Sequence, residues 1–152
     1  MNTESCVPFL RVKNARASLA YYERCLGFRK EWEHQFEPGQ PLCVSVSRGG
    51  LRFFLSEHRG DGAFGACVYC YVPDVDALAA EFRENGARIT CGLETMPWGT
   101  RDMEVTDLDG NHIRFGTRLS PEQGGEAARC DDQRVRMFRL VLPPGIEPGS
   151  TV

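Results

Sequence analysis

The chain is written twice. Val12-x-Asn14 opens a stretch of helical spacing that ends at Leu26-Gly27, and about sixty residues later Val72-x-Asp74 opens another that ends at Asn85-Gly86. The turn at Arg48-Gly49-Gly50 has its echo in Asp109-Gly110-Asn111, and a strand-like run follows each. A duplicated half of this length restricts the fold to two copies of one β-α-β-β-β unit. It also fixes which positions face each other across a shared concave surface.

Local signals fill in the unit. Asn14 and Asp74 are N-cap residues. Leu19, Tyr22 and Leu26 recur at helical spacing in the first half, and Val75, Leu78 and Phe82 in the second. Gly27 and Gly86 supply the stops. Strands are expected at residues 7–12, 28–35, 42–47 and 51–56, then at 66–72, 88–92, 101–106 and 112–116. The expected class is α+β: two modules, at residues 5–57 and 66–118, forming a curved, cleft-shaped mixed sheet with the helices outside. A polar, glycine-rich linker at 58–65 joins them. Residues 1–118 form the domain. The 119–152 extension is rich in Gly, Pro and charge, carries one apolar island at 137–142, and reads as a flexible C-terminal addition.

Composition excludes several function classes. A formal charge of −3 gives no electrostatic basis for a nucleic-acid partner. No apolar run reaches the roughly 18 residues that a membrane span requires. Met1-Asn2-Thr3-Glu4-Ser5 lacks the basic and apolar regions of a signal peptide, so the chain reads as cytoplasmic. The seven cysteines are scattered and are expected to be reduced thiols. Cys67-x-x-Cys70 lies on an expected strand, where residues three apart point to opposite faces, and no second pair completes a zinc site.

The two modules, closing on Asp107-Leu108-Asp109-Gly110-Asn111, resemble the vicinal oxygen chelate superfamily, which includes glyoxalase I, extradiol dioxygenases and bleomycin-resistance proteins. Val7-Pro8-Phe9-Leu10 and Pro97-Trp98-Gly99-Thr100-Arg101 are most similar to the bleomycin-resistance branch. The superfamily's enzymes place metal ligands at four inward positions, which the resemblance puts at Val7, Phe54, Cys67 and Arg114. Val and Phe have no donor atom, and Arg brings a repelling positive charge, so no metal and no cofactor are expected. The resemblance also implies a homodimer that exchanges its N-terminal strand, with Val7 and Pro8 as the dimer arm.

Strand alternation gives the inward face. It includes Phe9 on the first strand, Arg52 and Phe54, then Cys67 and Tyr69, and finally His112 and Arg114. Trp98 sits on the loop beside it, and the resemblance implies that this ring stacks on a ligand. Aromatic walls suit a planar, conjugated molecule. Arg52 and Arg114 make the expected cleft positive and its ligand neutral or anionic. His34 and His58 fall near loop ends and read as solvated.

The reading that follows is a metal-independent, non-enzymatic protein that sequesters a flat aromatic molecule, such as a bleomycin-type or other antibiotic. The alternative is a glyoxalase- or dioxygenase-like enzyme, with His112 as a base or Cys67 as a nucleophile beside Arg114. The sequence offers no third residue to orient either one.

Overall fold

A computed structural model describes residues 3–121. The 119–152 extension therefore lies outside the described residues from 122 onward, and its apolar island with it.

The elements follow the repeat: β1 (Phe9–Arg11), α1 (Ala15–Leu26), β2 (Arg29–Gln35), β3 (Leu42–Arg48), β4 (Leu51–Ser56), then β5 (Cys67–Tyr71), α2 (Val75–Glu84), β6 (Ile89–Thr95), β7 (Thr100–Thr106) and β8 (His112–Arg118). Each half is a four-stranded mixed sheet with one helix, in the orders β1-β4-β3-β2 and β5-β8-β7-β6. The first strand of each half pairs in parallel with the last, and the other pairs are antiparallel.

The duplication extends to single hydrogen bonds. Asn14 accepts from the Ala17 amide at 2.9 Å and Asp74 from the Ala77 amide at 3.0 Å. These caps satisfy amides that the first helical turn leaves without partners. Glu57 and Thr117, each just beyond or at the end of the last strand, accept from the first helical amides, Ala15 and Val75. Each helix closes through an amide just past its glycine: Phe28 N–H to Tyr22 O six residues back, and Ala87 N–H to Phe82 O five residues back. Gly27 and Gly86 hold the left-handed φ of 66° and 73° that this closure requires.

Alternation then sorts each strand into two faces. Leu10, Val44, Val46, Phe53 and Leu55 turn toward α1, and Cys70, Met103, Val105, Ile113 and Phe115 toward α2, all in the buried core. The opposite faces are concave and open. Their strands differ from the sequence expectation mainly at β6, which runs to Thr95, and at β1, which is shorter. Among the described residues no helix is long and apolar enough to cross a membrane.

Candidate ligand-binding surfaces

The two concave faces are built from equivalent rows of residues with different chemistry. In the first half, Phe9 pairs with Phe54, Phe54 with Ser45, and Ser45 with Trp32. Ser45 is small, so Trp32 reaches across it to Phe54, with ring centroids 5.0 Å apart. Phe9 meets Phe54 edge-on, also at 5.0 Å. The result is an aromatic row across the width of the sheet. Beyond it, Phe36 stands between His34 and His58, with centroids 4.6 and 6.1 Å away. These rings, with Cys43 and Asp61, line an open space of about 500 Å³. Asp61 is fixed by the Ser56 hydroxyl, which donates to it at 2.6 Å.

The matching row of the second half is Tyr69, Arg114, Glu104 and Cys91. Glu104 is its hub. It accepts from Arg114 Nε at 2.8 Å and from the Thr90 hydroxyl at 3.0 Å, and lies 2.9 Å from His112 Nδ1. Burial alone would raise the Glu104 carboxyl, but the hydrogen bonds from Arg114, His112 and Thr90 outweigh it and hold the pKa below the ordinary glutamate value. The next row is Tyr71, Gly116, Asp102 and Glu94. Tyr69 leans over Gly116 and donates to Asp102 Oδ1 at 2.8 Å. Burial, with Asp102 opposing ionisation, pushes the Tyr69 hydroxyl up to about 12, so it stays a neutral donor. Tyr69, Tyr71, Trp98, Asp102 and Arg114 line a second open space of about 390 Å³.

Most sequence-derived residues therefore reach a concave face, but they do not share one cleft. Phe9 and Phe54 line the first space; Tyr69, Trp98 and Arg114 line the second. Within the chain the single expected cleft is two surfaces, because each sheet curves around its own helix. Cys67 is exposed on β5, paired with His112, and Cys70 is buried on the opposite face, as alternation requires. The expected positive charge is also corrected. Arg52 is held by Glu31 at 2.7 Å and Arg114 by Glu104, so each guanidinium is already neutralised. His34, exposed near the end of β2, and His58, in the loop after β4, stand near loop ends as expected, and both also line the first space.

Sequence reasoning missed Glu31, Trp32, Phe36, Asp102 and Glu104. The two acids on β7 were within reach. Counting back from the turn pairs Thr106 with His112, and then Glu104 with Arg114 and Asp102 with Gly116. Trp32 was hidden by a β-bulge. The register shifts between Lys30 and Trp32, so Glu31 becomes an extra residue and also turns to the concave face. An equivalent shift between Ile89 and Cys91 does the same for Thr90.

Residues 1–122 match the family model described as a glyoxalase superfamily protein. The chain belongs to the glyoxalase superfamily. Solved structures share this fold. TioX from Micromonospora sp. ML1 aligns with a TM-score of 0.65 at 24% identity, over 77% of this chain and 100% of that one. TnmS3, an antibiotic binding protein from Streptomyces sp. CB03234, gives 0.62 at 20% identity, over 77% and 97%. The bleomycin-binding protein of Streptomyces verticillus, solved with copper(II)-bleomycin, gives 0.60 at 24% identity, over 79% and 98%. No curated protein matches the chain.

The glyoxalase superfamily's metal position does not fit this chain. Val7 precedes β1, Phe54 belongs to the aromatic row, and the Arg114 guanidinium already occupies Glu104. Among the described residues no three His, Cys, Asp or Glu side chains gather closely enough to hold a metal ion. A site needs several such donors, and an arginine among them opposes a cation.

Proposed function

We propose that this glyoxalase superfamily chain is a metal-independent binding protein that sequesters a flat aromatic small molecule, with antibiotics as the candidate class. One observation carries the reading. Phe9, Trp32 and Trp98 are 45%, 42% and 58% exposed on concave surfaces, although a complete core is packed elsewhere. Large rings left open in a cup are the expected walls of a site for a planar ligand, each stacking contact adding roughly 0.5–1.5 kcal/mol beyond burial. The antibiotic-binding and bleomycin-binding structures of the same fold support this class of ligand.

A homodimer completes the proposal. Each space is open, and the second adds the charged Asp102 and Arg114 to its rings, so apposing the first half of one chain with the second half of its partner encloses a ligand between unlike walls. Val7 and Pro8 lead into β1, which makes only three ladder pairs with β4. So short a strand is easily exchanged for the partner's copy. Sedimentation equilibrium at micromolar concentration is expected to give a dimer, and a monomer there refutes this part.

The chain's two tryptophans, Trp32 and Trp98, stand one in each space, which makes the test direct. A panel of antibiotics and aromatic metabolites is titrated while intrinsic fluorescence and Tm are followed. A bound compound quenches tryptophan emission and adds RT ln(1 + [L]/Kd) to the unfolding free energy, which raises Tm. Comparing Trp32→Phe with Trp98→Phe assigns the quenching to a surface. A panel that moves neither signal rejects sequestration.

One observation favours the enzymatic reading. Glu104 orients His112 through Nδ1 and so supplies the third residue that the sequence did not reveal. Turnover of any panel compound, followed by mass spectrometry with His112→Ala as control, decides between the two.

A further inference from the structure

The second space holds a group that stacking alone does not use. Asp102 is only 4% exposed, yet it lines the space. Its Oδ1 accepts the Tyr69 hydroxyl at 2.8 Å. The rings of Tyr69, Tyr71 and Trp98 stand around it. A buried carboxylate framed by aromatic faces is the chemistry that holds an organic cation. The ring faces attract positive charge, and the carboxylate supplies a strong, charge-assisted acceptor.

Arg114 lines the same space, and its charge is met by Glu104. His112 shares the same carboxylate. Glu94 stands opposite Asp102 in the ladder and adds a second negative group. Arg118 gives independent support, because its guanidinium lies 4.4 Å from the Tyr71 ring centroid. The chain's own cation already rests on one wall of the site.

We infer that the second space is a subsite for a positively charged nitrogen group, a protonated amine or amidine carried by the aromatic ligand, with Asp102 as its specificity determinant. The inference rests on the sequestration reading and deepens it. It replaces the neutral or anionic ligand expected from Arg52 and Arg114 in the cleft.

Three tricyclic probes of nearly equal shape test it on the full chain: 9-aminoacridine, a cation at neutral pH, neutral 9-anthracenemethanol, and anionic anthracene-9-carboxylate. Wild-type protein is expected to bind the cation about tenfold more tightly than the anion, the scale of one charge-assisted hydrogen bond. Asp102→Asn keeps an acceptor for Tyr69 and is expected to lose that margin while binding the neutral probe unchanged. Tyr69→Phe removes the carboxylate's internal partner and is expected to keep or widen the preference. Equal wild-type affinity for cation and anion overturns the inference and leaves sequestration standing. Asp102→Asn weakening all three probes alike, or Tyr69→Phe abolishing the preference, also overturns it, because Asp102 is then only a support for Tyr69. Failure of wild-type protein to bind any probe rejects the subsite together with the sequestration reading for tricyclic ligands.

Discussion

At Gly116 a Cβ would stand 2.6 Å from Asp102 Oδ1 and would overlap the Tyr69 hydroxyl. No positive φ is involved; the glycine is needed for space. Its bare backbone lets Tyr69 cross from β5 over β8 to an acid on β7. Gly116→Ala is expected to part Tyr69 from Asp102 and cost roughly 1–3 kcal/mol, read from urea unfolding at neutral pH. A second measurement separates this from general crowding. The Tyr69 pKa is raised in the folded chain, so its contribution to stability is complete below the unfolded value of about 10 and is lost as pH rises toward 12. That alkaline loss should shrink in Gly116→Ala. An unchanged profile would separate Gly116 from the Tyr69 ionisation.

Between residue and domain lie the paired strands, and β7 with β8 carries the ionic row. Glu104 has the opposite linkage sign to Tyr69. Its pKa is depressed in the folded state, so the stability it contributes is present above the ordinary glutamate value of about 4.3 and is lost as pH falls through the lower folded value. Glu104→Gln is expected to flatten the acid limb of a Tm-against-pH curve while lowering Tm at pH 7. An acid limb identical to wild type would mean that other carboxylates control it. The same strands show what a sequence can reveal. Helix ends were legible because caps such as Asn14 and Asp74, and stops such as Gly27, act within a few residues of themselves. The face of β4 was legible because alternation there is unbroken, and Phe54 and Arg52 fell where expected. β2 was opaque because its bulge puts Glu31 and Trp32 on one face in succession, which no period of two can anticipate. The charge of the sites was misread for a related reason. Arg52 and Arg114 are visible in the sequence, but their partners Glu31 and Glu104 become neighbours only through strand pairing.

Across the whole molecule, the turn that closes the repeat also fastens the halves together. Asp107 is fully buried and accepts from the Asp109 and Asn111 amides, the Asn111 side chain and the Tyr22 hydroxyl of α1. Asn111 also donates to Arg11 O at the end of β1, and Asp109 receives the Lys13 amide and the Ser18 hydroxyl. Tyr21 completes the seam by donating to Thr106 O while accepting from the Arg88 amide. The Asp107-x-Asp109-Gly110-Asn111 run is thus a structural latch, and the two concave surfaces keep their relative placement through it. Asp107→Ala leaves several buried donors without an acceptor and is expected to cost roughly 3 kcal/mol or more. Tyr22→Phe removes only the bond between the halves and is expected to cost about 1–2 kcal/mol. In the double variant the second loss should largely vanish, since both act on one bond network. Urea unfolding of the four proteins measures the coupling. If the two losses simply add, Tyr22 stabilises its helix alone, and the latch between halves must be sought in Asp109 and Asn111 instead.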